Sequence, residues 1–387
     1  MTPGARVAAA IEILDVIGAG TPAEQALTRW ARASRYAGSK DRAAVRDHVF
    51  DVLRNRRSVA VLGGGTDGRA LMIGLLRQQG EDPALFFTGE GHAPAAMSEE
   101  ERRSPDFSGE TGERWNLPDW ILAEFQRSLG SEAEATALAL AQRAPVSLRV
   151  NLAKTTRLGA MSALQAEGVE TEINPLAETA LSVTLGARRL RNSPVYLEGL
   201  VELQDAASQA IIADLPAAER CLDFCAGGGG KALAMAAQGR DVSAHDIDPG
   251  RMRDLPARAL RAGTPVAQVT RETLGALDPF DLVLCDAPCS GSGSWRRAPH
   301  AKWALYPERL DELTQIQDNI LDDAVQSVHP NGWLIYATCS VLRVENEDRV
   351  ATFVERNPDW HCTFERRFSV SDTGDGFFSA HLTRVKD

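Results

Sequence analysis

The chain lacks any apolar run approaching the roughly 18 residues that a membrane-spanning helix needs. It opens on Met1-Thr2-Pro3-Gly4-Ala5-Arg6, without the apolar stretch of a secretion signal, so a cytoplasmic location and no membrane partner are expected. Cysteine is scarce, at six residues in 387, and scattered, which excludes a small disulfide-stapled fold. Cys221-x3-Cys225 and Cys285-x3-Cys289 look superficially like zinc pairs. All four lie in or at the ends of apolar runs, where alternate side chains face opposite sides of a strand, so no metal site is expected. A basic excess is missing too: the formal net charge is −11, which argues against a nonspecific nucleic-acid binder. There is no Walker phosphate loop, because the required Ser/Thr position holds Ala232, and no G-x-G-x-x-G fingerprint. Internal repeats and low-complexity tracts are absent as well.

The hydrophobic pattern shows several domains. Val7, Ile11, Leu14 and Ile17 recur at helical spacing, as do Val45, Val49 and Leu53, and a further helix is expected over Arg69–Gln79. Residues 1–87 therefore form a helical domain, and 88–114, rich in Gly, Pro, Ser and Glu, a linker. Residues 115–200 are expected to hold a helical connector, with Ser131-x-x-Glu134 as a capping box, and a small α/β module. That module has strand-like runs at Val146–Leu152, Leu181–Leu185 and Val195–Leu197. From 201 to 387 apolar strands alternate with helices. The strand candidates are Cys221–Cys225, Val242–Ile247, Val266–Val269, Leu282–Cys285 and Trp333–Ala337. This alternation predicts a doubly wound, Rossmann-like α/β sheet, closed by an antiparallel tail around Phe377-Phe378.

Leu222-Asp223-Phe224-Cys225 runs into Ala226-Gly227-Gly228-Gly229-Gly230-Lys231, a strand feeding a glycine loop and a helix. Glycine lets the backbone approach a ligand closely. The next strand ends in His245-Asp246-Ile247-Asp248, and an acid about 20 residues past the glycines suits a ribose diol. A glycine loop and ribose acid without a phosphate signature fit the S-adenosylmethionine methyltransferases. Asp248 is well placed to cap the helix that begins at Pro249.

Two thiols stand apart from the packing cysteines. Cys289 in Asp286-Ala287-Pro288-Cys289-Ser290-Gly291 and Cys339 in Thr338-Cys339-Ser340 each lie in a polar turn at a strand end. Carbon 5 of cytosine is a poor nucleophile. A thiolate adding at carbon 6 turns the ring into an enamine whose carbon 5 can attack a methyl sulfonium. A second group must then help expel the first thiol. Asp286 can hydrogen-bond the ring at N3. The chemistry explains two thiols without deciding which one attacks.

The motifs together resemble the Sun/RsmB family of RNA 5-methylcytosine methyltransferases. Asp286-Ala287-Pro288-Cys289-Ser290 resembles its first cysteine motif, followed by Arg296-Arg297-x-Pro299-x-x-Lys302-Trp303. Tyr336-Ala337-Thr338-Cys339-Ser340 with Glu345-Asn346-Glu347 resembles the second. Gln204-Asp205-Ala206-Ala207-Ser208-Gln209, Arg149-Val150-Asn151 and Asp375-Gly376-Phe377-Phe378 follow the family's order. Lys40-Asp41-Arg42 and Val49-x-x-Val52-Leu53-Arg54 are similar to the NusB-like RNA-binding domain of its bacterial members.

The resemblance implies that Cys339 is the nucleophile, that Cys289 assists release of the methylated base, and that Asp286 contacts cytosine and cofactor. It implies S-adenosylmethionine at Cys225, Ala226, Gly227, Gly228, Gly229, Gly230, Lys231, Asp246, Asp248 and Arg251. The family's acid near the adenine has Glu272 as its displaced counterpart. The family's Ala-Pro in the cofactor loop is Gly227-Gly228 here, a more flexible loop expected to weaken cofactor affinity.

The substrate would be single-stranded or looped RNA, since the base must leave its stack. Ribosomal RNA, 16S in particular, is the expected target, and a monomer the expected state. Arg296, Arg297 and Lys302 would clamp phosphates beside the thiols, with Arg149 and Asn151 across the groove. Segment 22–60 carries nine Arg and Lys against four acids, a local excess of five, within which Arg54, Arg56 and Arg57 are candidate RNA contacts. Two other readings fit the same motifs: the same chemistry on transfer RNA, and an RNA-binding assembly factor with a vestigial cofactor site.

Overall fold

The computed structural model describes residues 1–103, 105 and 109–385. It divides into two compact units that do not follow chain order. The first is Met1–Ala123, Ser131–Arg143 and Trp295–Tyr306; the second is Glu124–Gly130, Ala144–Ser294 and Pro307–Asp387.

The first unit is built on α1 (Pro3–Gly18), α2 (Ala23–Ala33), α3 (Ser39–Arg54), α4 (Arg56–Gly63) and α5 (Gly68–Gln78). Thr2 starts α1: its hydroxyl accepts the Ala5 N–H at 3.2 Å, with Pro3 in the first turn. Val7, Leu14 and Ile17 are buried as their spacing predicts, against Val45, Val49 and Leu53 of α3. Glycine decides how α4 meets α5. A Cβ on Gly74 would lie 1.8 Å from the Val59 carbonyl oxygen, and one on Gly63 1.9 Å from that of Ala70. No single described helix is long and apolar enough to cross a membrane.

Segment 88–114, expected as a linker, contains the short helices Glu99–Arg102 and Thr111–Trp115, while residues 104 and 106–108 lie outside the described residues. The capping box expected at Ser131 does not form. Gly130–Glu132 is already a tight helical turn, so Ser131 is not in the extended conformation a cap needs, and Ala133–Leu140 starts without a side-chain cap.

The second unit holds two sheets. The small one comprises β1 (Val146–Val150), β2 (Glu170–Ile173), β3 (Ala180–Leu185) and β4 (Val201–Leu203), antiparallel in the order β2-β3-β1-β4. Helix Arg157–Ala166 buries Ala160 and Leu164 within the same core. Val195–Leu197, expected as a strand, is helical instead: Pro194 occupies the first turn and the Ser193 hydroxyl accepts the Tyr196 N–H.

The large sheet comprises β5 (Arg220–Asp223), β6 (Asp241–Ala244), β7 (Ala267–Gln268), β8 (Phe280–Asp286), β9 (Val328–Thr338), β10 (Trp360–Phe368) and β11 (Phe377–Arg384). Its order is β10-β11-β9-β8-β5-β6-β7. β5 to β9 are parallel, and β10 and β11 close the edge antiparallel. This is the doubly wound sheet that the alternating pattern predicts. From β5 the chain builds outward through β6 and β7, then returns to place β8 on the other side. Ligands of open α/β sheets bind at that reversal, outside the carboxyl ends of the strands.

Candidate active site

Three strand ends meet there. β5 delivers the glycine loop, β8 delivers Asp286 and Cys289, and β9 delivers Cys339. The pairing of Asp286 with Ala337 sets the two cysteine turns side by side. In the glycine loop, Gly227 (φ 52°) and Gly229 (φ 75°) adopt left-handed backbone that other residues resist. Asp246, buried at the end of β6, ties this loop down. Its carboxylate accepts the Gly227 N–H at 2.8 Å, the Asp248 N–H at 3.0 Å and the Arg251 guanidinium at 3.0 Å.

Lys231 is buried and its Nζ lies 2.5 Å from Asp286 Oδ2. Burial pulls the ammonium down, but Asp286, Asp223 and Cys339 together outweigh it and raise Lys231 above its ordinary range. Asp223 is fully buried with no well-formed hydrogen bond to either oxygen. Burial first, then repulsion from Asp286, pushes it up to about 7.

Cys289 Sγ and Cys339 Sγ are 3.5 Å apart, both half-buried. The pair shares a proton asymmetrically. The hydrogen bond from Cys289 lowers the Cys339 thiol, with further help from Ser294 and Lys231 against burial and Asp286. Cys289 is raised well above its usual range by that same bond, by burial and by Glu345. Both shifts favour thiolate character on Cys339 and a protonated Cys289.

Two adjoining cavities open at these strand ends. One, of about 350 Å³, is lined by Gln204, Ser208, the glycine loop, Lys231, Asp286 and both thiols. The other, of about 200 Å³, is mostly apolar, with Phe224, Ile247, Ile316 and Ile320 beside Asp246. They share Cys225, Arg251 and Pro288. A polar chamber at the thiols joined to an apolar slot fits a cofactor with a charged amino-acid end and a flat base.

Most of the expected cofactor residues gather here. Cys225, Ala226, Gly227, Gly228, Gly230, Lys231, Arg251 and Asp286 line the first cavity and Asp246 the second, while Gly229 turns the chain. Two do not. Asp248 is exposed and caps Pro249–Met252 through the Gly250 N–H. Glu272 is exposed on the short helix Arg271–Leu274, whose Arg271 reaches the apolar cavity instead.

The expected RNA clamps are largely redirected into internal structure. Asn151 donates to the carbonyls of Gly199 at 3.1 Å and Ala262 at 2.7 Å, and Arg149 is buried. Arg296 and Lys302 are buried in the helical unit, where Lys302 donates to the Arg54 carbonyl, and only Arg297 of the three is exposed. Arg54 pairs with Asp51 and donates to the Arg296 carbonyl. Arg57 pairs with Asp119, and Arg56 lies over the Trp303 ring. Asn151, Lys302, Arg54, Arg56 and Arg57 each meet a carbonyl, carboxylate or ring that sequence distance conceals. Within segment 22–60 the exposed basic groups are Arg29, Arg32, Arg35, Lys40, Arg42 and Arg46.

Sequence reasoning missed Asp223, which looked like an ordinary strand residue, and the apolar lining from helix Pro307–Ala324. Gln204 and Ser208 carried a signal in their motif without an assigned role.

Comparison with known proteins gives a consistent picture. The family model described as 16S rRNA methyltransferase RsmB/F matches residues 210–383, and that of the RsmF/B-like ferredoxin-like domain matches 117–187. Ribosomal RNA small subunit methyltransferase B of Cronobacter sakazakii is 33% identical over 296 residues, covering 72% of this chain and 68% of that protein. The chain belongs to the RsmB/F family of rRNA methyltransferases. Its sheet is the Rossmann-like methyltransferase fold, and its cofactor is S-adenosylmethionine. Among solved structures, PH0851 superimposes with a TM-score of 0.77 at 22% identity over 99% of both chains. NSun6 of Pyrococcus horikoshii with SFG gives a TM-score of 0.61 at 17% identity, over 70% of this chain and 99% of that one. At those identities the likeness is one of fold.

Proposed function

We propose that this RsmB/F member methylates carbon 5 of a cytosine in small-subunit, 16S, ribosomal RNA through a covalent adduct, acting as a cytoplasmic monomer. The observation that carries the reading is the 3.5 Å thiol pair beside the Lys231–Asp286 ion pair on the cofactor cavity. Methylation of an exocyclic nitrogen or a ribose oxygen has no use for two thiols.

The Cys339 thiolate adds to carbon 6, forming a C–S bond and pushing electrons into the ring toward N3. The proton held between Asp286 and Lys231 moves to N3 as charge develops there and returns when the adduct collapses. Bound S-adenosylmethionine supplies an electrophilic methyl group to carbon 5. Loss of the carbon 5 proton to solvent returns an electron pair that re-forms the ring double bond and expels Cys339 as thiolate. The Cys289 thiol hydrogen-bonds the departing sulfur and stabilises it as the thiolate.

The test is a pair of variants incubated with RNA and S-adenosylmethionine. Cys289→Ala is expected to accumulate a protein–RNA adduct that survives denaturation. Cys339→Ala is expected to form none and to lose methylation by at least about a thousandfold, as for removal of a covalent nucleophile. Full activity in Cys339→Ala would sink the reading.

A further inference from the structure

We propose that Glu345 is the positioning residue of the thiol pair: its buried carboxylate locks both cysteine turns in one register and keeps the shared proton on Cys289. The inference rests on Cys339 being the attacking thiol, but its alkylation readout needs no RNA.

Glu345 is fully buried on the short turn Arg343–Glu345 that follows the Cys339 loop. Its Oε1 accepts the Ser290 N–H at 2.7 Å and Gln317 Nε2 at 3.1 Å. Its Oε2 accepts the hydroxyls of Ser290 and Ser340, each at 2.5 Å. All four partners donate, as an acceptor-only carboxylate requires. Ser290 immediately follows Cys289, and Ser340 immediately follows Cys339. One side chain therefore grips both turns at the residue next to each sulfur.

The bonds behind it fix the direction of every hydroxyl. Ser340 donates to Glu345, so at their 2.8 Å contact the Ser292 hydroxyl donates to Ser340. Ser292 in turn accepts the Val341 N–H at 2.9 Å, and Ser340 accepts the Leu342 N–H at 3.0 Å. Gln317 also donates to the Pro288 carbonyl at 3.0 Å, bracing the first turn from helix Pro307–Ala324. The Tyr336 hydroxyl donates to the Glu345 carbonyl at 2.6 Å, fixing the turn that carries it. Within this network Gln317 Oε1 is left without a partner, while every bond to the Glu345 carboxylate has its donor fixed.

The charges around the sulfurs are unequal. Lys231 and Asp286 stand toward Cys339, with Asp223 behind them. Glu345 acts on Cys289, and Tyr336 lies beneath it, with the Arg349–Asp318 pair beyond. Glu345 disfavours a charge on Cys289, while at Cys339 Lys231 offsets part of the repulsion from Asp286, and that difference favours the thiolate on Cys339.

The experiment is alkylation of the full chain by iodoacetamide across pH, with modification at each cysteine read by mass spectrometry. In the unmodified protein Cys339 should react at lower pH than Cys289, with a preference of at least about tenfold at pH 7, one unit of separation. Glu345→Gln removes the charge and should shrink that preference severalfold, with kcat falling and cofactor affinity unchanged. Glu345→Asp restores the charge with a shorter reach, and should recover the alkylation preference more than it recovers kcat. If Glu345→Gln does not fold, Ser340→Ala carries the test. It frees one turn from the carboxylate and should lower the Cys339 preference with the fold intact. Either variant keeping the original pH profile and preference would overturn the proposal. A cytosine reading that failed while the alkylation pattern held would leave Glu345's role standing.

Discussion

Asp223 shows how burial, reinforced by a neighbouring carboxylate, sets the behaviour of a single carboxyl. In the fold it holds its proton up to about pH 7, whereas an unfolded aspartate releases it near 3.8. Between those values the folded chain binds more protons than the unfolded one, so this group's contribution to stability falls as pH rises through the window. Asp223→Asn keeps the shape and removes the titration. Thermal melts should show the variant gaining stability over the natural chain at pH 8 and little at pH 5. An equal difference at both would mean that Asp223 is ionised throughout. The glycine loop and the two thiols were visible in the sequence because turn chemistry is local. The state of Asp223 was not, since it depends on Asp286 and Lys231, which only the sheet brings near.

At the scale of elements, the end of α3 depends on a segment 250 residues away. Trp303 Nε1 donates to the Leu53 carbonyl at 2.6 Å and Lys302 Nζ to that of Arg54 at 3.1 Å. These are last-turn carbonyls, which a helix cannot satisfy by itself. Trp303→Phe keeps a ring under Arg56 and removes the donor. Denaturant unfolding should show a loss of about 1–3 kcal/mol, the cost of a buried carbonyl left unpaired. A loss below about 0.3 kcal/mol, within the scatter for neutral surface changes, would show that water replaces the bond. The sequence marked Lys302 and Trp303 as a motif but placed them on a solvated RNA-facing loop. Their true partners are backbone atoms, which carry no sequence signature.

Across the whole molecule, an acidic chain has to hold a polyanion. One run of its exposed basic side chains lies on the helical unit, where Arg29, Arg32, Arg35, Lys40 and Arg42 are all open to solvent. Replacing Arg32, Arg35 and Arg42 by Ala should weaken RNA binding at low salt and flatten its salt dependence by about two units of slope, for three lost phosphate contacts on single-stranded RNA. Titrations at several salt concentrations measure this. An unchanged slope would move the RNA contact elsewhere. The positive segment was legible in the sequence, but which of its members face solvent was not. Arg54, Arg56 and Arg57 are drawn inward by Asp51, Trp303 and Asp119.

The sequence by itself determined the alternating α/β pattern, the glycine loop, the two cysteine turns and the family, because each is written in residues close together along the chain. Only the tertiary structure decided which charges surround each thiol and which basic residues become internal struts. Those outcomes depend on fields and hydrogen bonds between distant residues: Lys231 and Glu345 around the sulfurs, Asn151 reaching Ala262, and Trp303 reaching Leu53. Distance along the chain does not encode them. The register of β8 against β9 and the packing of 295–306 on α3 do.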